Sequence, residues 1–330
     1  MMGCVRAAAA LVLLARQCGA SCAPSAGYNM TRPPAPRAAS LAAVVVRGDA
    51  LRDCGHGERC GALGALPSLA AARSQLAHVV APLEAAGYRV DVYVSTYRCG
   101  RDDFDAWLAL YGAAAVAAPP AADARRETQR DTLLRGLALV AEPVALVVVV
   151  RADLLFVRSL FPEAVRDASE PILFHADMTG GRHGAVSDRP RGSGAVTDKL
   201  HVLKGHAGAS CFVDAVLNDA CFNDLDDDDD DGSYLSGEGC YGPLQKRVGD
   251  AGIAFLRDLV PGTAPGTLGD NELGDSLFRV VPRSLADLSA GDRGDLLGAR
   301  DLGPYASGRC RSLRPRRAPV WVADVASELR

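Results

Sequence analysis

The sequence predicts an α/β protein with a mostly parallel central sheet, helices on both faces and a less regular C-terminal half. Residues 144–156 read V-A-L-V-V-V-V-R-A-D-L-L-F, and a β-branched run without polar alternation suits a strand buried on both faces. Residues 41–46 repeat that pattern as L-A-A-V-V-V, and residues 88–97 set Val90, Val92 and Val94 against Asp91 and Tyr93. Stretches of helical period separate these runs, and strands alternating with helices imply parallel pairing through right-handed crossovers.

The chain is best read from its first strand onward. Residues 41–46 end at Arg47-Gly48-Asp49. Ser68, behind Pro67, is a good N-cap, and Leu69, Leu76, Val79, Val80 and Leu83 follow a helical period to Gly87. Pro82 should kink that helix. Residues 107–111 read as a short helix and 113–118 as a weak third strand. Residues 124–141 are amphipathic, with Leu133, Leu137 and Val140 opposite Arg126, Gln129 and Arg130. The valine-rich strand follows and surfaces at Arg151-Ala152-Asp153.

Later elements are shorter. Strands are expected at 171–175, at 197–203 with Lys199, His201 and Leu203 on one face, at 253–256, at 276–281 and at 319–325. Residues 211–220 and 241–249 read as helices. Residues 226–231 are six consecutive aspartates, and adjacent like charges of this kind mark a solvated loop.

Composition bounds the function. Hydrophobic residues make up 48% of the 330, enough for a substantial core, and the formal net charge of -4 argues against a general nucleic-acid binder. Arg6 precedes an apolar run at 7–15 followed by small residues, the layout of a secretory signal peptide over residues 1–26. That run is too short to span a bilayer, so any membrane contact is expected only through the N-terminal segment. Residues 27–39 read as a proline-rich linker and 40–330 as one domain. Asn29-Met30-Thr31 would accept a glycan in that compartment. The ten cysteines fit an oxidising environment, and bridges are expected between Cys54 and Cys60 and among Cys211, Cys221 and Cys240.

Several chemistries lack their motifs. The chain contains no G-x-x-x-x-G-K-[ST], G-x-S-x-G or H-E-x-x-H, and no G-x-G-x-x-G follows the first strand. What remains is the end of the valine-rich strand. An arginine and a carboxylate two residues apart, where a buried parallel strand surfaces, occupy the place where open α/β sheets bind ligands. The plainer reading makes Arg151 and Asp153 a structural ion pair at a strand exit.

Five segments carry a resemblance. They are Arg47-Gly48, P-L-E-A-A-G-Y-R-V-D-V-Y-V-S-T-Y at 82–97, V-V-V-R-A-D-L at 148–154, D-K-L-H-V at 198–202 and C-Y-G-P-L at 240–244. In order and spacing the chain resembles a group of algal and protist glycosyltransferase-like proteins. The resemblance implies a Rossmann-like, GT-A-like nucleotide-sugar fold, with residues 40–160 as the nucleotide-sugar half and 161–330 as the acceptor half. It places R-x-D where D-x-D is usual.

The chemistry of such a site can be stated from its substrate. A nucleotide-sugar loses a diphosphate, so positive charge must be held at the leaving oxygens. Asp153 would ligate Mn²⁺ or Mg²⁺, with His201 as a further metal ligand, while Arg151 touches phosphate or ribose and Arg47 approaches the nucleotide; arginine in place of the first aspartate equally permits a metal-free site. Asp198 or Glu238 would deprotonate the hydroxyl of a glycan, protein or lipid acceptor. The expected function is therefore sugar transfer within the secretory pathway, in the Golgi or ER lumen or after secretion. The alternatives are a secreted, non-catalytic domain that binds carbohydrate or protein on the same fold, and a phosphodiester or sugar-phosphate hydrolase.

Overall fold

The computed structural model describes residues 40–51, 65–100, 102–120, 129–140, 143–156, 158–160, 162–174, 200–218, 252–259, 278–280 and 320–321. The signal-like segment, the linker, Asn29, the aspartate run, Asp198, Glu238 and the helix expected at 241–249 lie outside them.

In chain order the elements are β1 (Leu41–Arg47), α1 (Ala65–Gln75), a π-helical turn (Leu76–Val80), α2 (Ala81–Ala85), β2 (Arg89–Ser95) and α3 (Asp102–Tyr111). There follow β3 (Ala115–Ala117), α4 (Gln129–Ala138), β4 (Leu146–Arg151), β5 (Leu154–Phe156), α5 (Pro162–Asp167) and β6 (Ile172–Phe174). The rest are β7 (Leu200–Lys204), α6 (Gly205–Asn218), β8 (Ile253–Phe255), α7 (Leu256–Leu259), β9 (Phe278–Val280) and β10 (Val320–Trp321).

Eight strands form one sheet in the order β10-β3-β2-β1-β4-β7-β6-β8, so both halves of the chain contribute to it. All neighbours pair in parallel except that β7 runs antiparallel to both β4 and β6. The sheet is mixed through this one reversed strand and mostly parallel, as expected. Its two faces are both covered. Val44, Val46, Val90, Val92, Val94, Val148 and Val150 pack with Leu76, Val79, Leu83 and the α3 residues Phe104, Trp107 and Tyr111. Ala43, Val45, Tyr93, Val147 and Val149 pack with Leu133 and Leu137 of α4 and Phe212 and Val216 of α6. The valine alternation expected in β2 is thus realised, with Tyr93 on the opposite face from Val92 and Val94.

Three expectations are refined by the structure. The valine-rich strand stops at Arg151, turns at Ala152-Asp153, and resumes as β5, which pairs antiparallel with β9 in a separate two-stranded sheet. The short helix of 107–111 begins at Asp102, because Asp102, Asp103 and Asp105 in its first turn oppose the positive end of the helix dipole. Pro82 acts through a widened turn before it. The Ala81 N–H reaches back five residues to the Leu76 carbonyl, and Pro82 stands in the first turn of α2. Pro82 has no N–H to offer the carbonyl four residues earlier, that of His78. That oxygen instead accepts the Leu160 N–H at 2.7 Å.

Cys99 and Cys211 are each disulfide-bonded. They lie in the cores on opposite faces of the sheet, so each bridges to a cysteine elsewhere in the chain. The sequence gives no reason to assign Cys99 a bridge; the pairing expected between Cys54 and Cys60 falls outside the described residues.

A Cβ at Gly136 on α4 would stand 2.7 Å from Val45 Cγ1 and 3.2 Å from Ser95 Cβ, on buried sheet positions. Gly136→Ala should therefore destabilise by about 1–3 kcal/mol in chemical denaturation, although alanine is the better helix former by about 1 kcal/mol. His78 Nδ1 lies 3.2 Å from Ser159 Oγ, and burial lowers the imidazole's pKa from its ordinary value. The unfolded chain then binds a proton more readily than the folded one. Stability contributed here is present above pH 6.5 and lost as the pH falls below it. Urea midpoints should fall between pH 7.5 and 5.5, and His78→Gln should show the smaller fall.

Candidate functional site

The rim of the sheet is set by where β1, β2 and β4 end. Arg47 is the register partner of Ser95 on one side and of Arg151 on the other. Side chains alternate along a strand, so these three residues share a face with Val45, Tyr93 and Val149, beneath α4. The row Ser95–Arg47–Arg151 thus closes the α4 face at the carboxyl ends of three parallel strands.

These strands also define a topological switch point. From β1 the chain moves outward through β2 to β3, with α1 and α3 covering one face. It then returns through α4 on the opposite face to β4, on the far side of β1. In open α/β sheets ligands bind at such a reversal, outside the carboxyl ends of the two strands, which here are β1 and β4.

Backbone hydrogen bonds hold the ends together. The Ala152 N–H donates to the Arg47 carbonyl at 2.8 Å, and the Gly48 N–H donates to the Ser95 carbonyl at 3.0 Å. Gly48 has φ +95°, a left-handed conformation that turns the chain away from the sheet straight after Arg47.

Arg47 is buried, at 1% exposure. A guanidinium does not lose its proton in a protein, so the rim carries a fixed positive charge just under its surface. Arg151 and Asp153 form a bidentate ion pair, with Nε to Oδ1 at 3.0 Å and Nη2 to Oδ2 at 2.5 Å. Their side chains are 17% and 23% exposed, so the pair sits at the surface of the rim rather than inside the core.

Arg135 of α4 is a third guanidinium at this edge, and nothing in the sequence pattern marks it. It is buried; its Nε donates to Ser95 Oγ at 3.3 Å, and its guanidinium carbon lies 5.6 Å from the centre of the Tyr97 ring. It stands between Leu133 and Leu137 on a helix face read as apolar.

His201 is placed elsewhere. It is fully buried on β7 opposite Val149, and its ring lies 5.2 Å from the Phe174 ring and 5.3 Å from the Phe212 ring. Among the described residues no three His, Cys, Asp or Glu side chains come together as a metal-ligating group. Both carboxylate oxygens of Asp153 are engaged by Arg151, so for Asp153 to hold a cation this pair must open. Asp198 and Glu238 fall outside the described residues.

The fold and rim define the class at a coarse level: a mostly parallel α/β protein whose guanidinium groups gather at a switch point. Compared with known proteins, the chain matches no protein-family model, and no curated protein matches it.

The closed Arg151–Asp153 pair is partly exposed, so its coupling should fall between that of a surface pair, at about 0–1 kcal/mol, and that of a buried one, at about 3–5 kcal/mol. A double-mutant cycle with Arg151→Met and Asp153→Asn should return about 1–2 kcal/mol in denaturant unfolding.

Proposed function

We propose that this chain is a GT-A-like glycosyltransferase of the secretory pathway, moving a sugar from a nucleotide-sugar donor to a hydroxyl of a glycan, protein or lipid. The observation that carries the reading is the pairing of Arg47 with Arg151 at the carboxyl ends of β1 and β4. Strand order supports it as well. After β3-β2-β1-β4 the sheet continues through the reversed β7, unlike the all-parallel sheet of dinucleotide-binding folds. The disulfide-bonded state of Cys99 and Cys211 supports an oxidising compartment.

In the reaction the acceptor oxygen bonds to the anomeric carbon, the bond from that carbon to the diphosphate oxygen breaks, and the acceptor proton passes to a base. Asp198 and Glu238 are the carboxylates proposed for that base. Arg151 would turn from the Asp153 carboxylate to a phosphate oxygen, to which its planar fork is equally suited. Arg47 would supply a second, buried positive charge where the leaving group's charge grows. The freed Asp153 would hold Mn²⁺ or Mg²⁺, hard cations suited to a carboxylate oxygen. When bound, such an ion would neutralise charge on the diphosphate.

The satisfied ion pair favours a second reading, a non-catalytic domain that binds carbohydrate or protein on this fold. Thermal shift separates the two. UDP or a UDP- or GDP-sugar at about a hundredfold excess over Kd should raise Tm by roughly 5 °C. The shift should shrink sharply, with residual binding, in Arg151→Ala and lose its Mn²⁺ dependence in Asp153→Ala. Stabilisation by glycans and by no nucleotide would reject sugar transfer in favour of the second reading.

A further inference from the structure

We infer that Gln75 is a positioning residue that sets the geometry of the Arg151–Asp153 pair, and through it the affinity of the rim for a diphosphate; the second half of this rests on the function proposed above.

Gln75 is the last residue of α1, immediately before the π-helical turn, and is fully buried. Its side-chain amide Nε2 donates to the carbonyl oxygens of Arg151 and Leu154, each at 3.0 Å, with the Ala152 carbonyl at 3.5 Å. The two short bonds bracket the Ala152-Asp153 turn, so one amide group spans the segment that carries both charged side chains. Its other end is also held: Tyr111 of α3 donates its hydroxyl to Gln75 Oε1 at 2.8 Å. That bond fixes which end of the amide faces the turn. Burial raises the Tyr111 pKa, which keeps the hydroxyl a donor at any ordinary pH.

The neighbouring residue strengthens the clamp. Ser74 Oγ accepts the Phe156 N–H at 2.9 Å and donates to the Ala71 carbonyl at 2.8 Å. Together, Ser74 and Gln75 grip the chain at both ends of β5 and at the turn before it. The contacts fall on backbone groups alone, so they dictate where the strand breaks without touching either charged side chain. The bidentate fit of Arg151 to Asp153 depends on the spacing of two Cα positions across that turn, and Gln75 sets this spacing.

Two measurements test the inference in the full chain. In the first, UDP is titrated against wild type, Gln75→Met, Arg151→Ala and the double variant. Gln75→Met, of similar length and unable to donate, should weaken UDP by about tenfold, the cost common for a residue that orients a binding group. Tyr111→Phe should weaken it less. In the Arg151→Ala background Gln75→Met should add nothing, because the group it positions is gone. Equal losses in both backgrounds, or no loss in a chain that binds UDP, would overturn the role.

The second measurement needs no nucleotide. Amide hydrogen exchange in Gln75→Met should accelerate about tenfold or more across residues 152–156, while β1 and β2 keep their protection. Unchanged exchange, or equal acceleration throughout the sheet, rejects the clamp. If wild type fails to bind UDP, the transferase reading falls, and exchange alone decides whether Gln75 governs the turn.

Discussion

Two parallel strands that end in register place two arginines next to each other, and the rim is built around that problem. Their side chains leave the same face of adjacent strands, so two like charges are held at one end of the sheet. Neither arginine can shed its proton. Arg151 is answered by the Asp153 carboxylate through both oxygens, across the turn at which β4 stops. The break after β4, the separate β5–β9 sheet and the buried amide beneath the turn are parts of one arrangement. A diphosphate carries negative charge that would offset the repulsion between two guanidinium groups, and the proposed donor site rests on that.

Much of the sheet was legible because its causes are local. Val147, Val148, Val149 and Val150 leave no polar face, so the strand must be covered on both sides, and it is. The alternation of Val90, Val92 and Val94 with Asp91 and Tyr93 states which residues face which layer. The reversed direction of β7 was not legible. The short apolar stretch it comes from reads the same in either direction.

The site was legible by residue type and position more than by partnership. Arg47 and Arg151 sit at strand ends because the apolar runs stop there, which a single sequence displays. That they are register partners depends on β1 and β4 being neighbours, a property of the crossover through α4. Gln75 and Arg135 gave no signal. A glutamine among alanines and an arginine flanked by leucines read as ordinary helix residues. Their bonds run to residues 76, 79 and 40 positions away. His201 shows the converse. A histidine within a motif reads as a ligand, whereas its neighbours Phe174 and Phe212 hold it by ring packing.

The widened turn at Leu76–Val80 also bears on how this chain can lengthen or shorten. It carries one residue more than a regular turn would need, and each helical residue advances the side-chain direction by about 100°. Because the wider turn takes up that residue, Leu76 and Leu83 both stay in the core on the sheet, and deleting one residue there would return a regular turn without changing that phase. At this turn the length of the helix and the phase of its apolar stripe are therefore uncoupled by one residue.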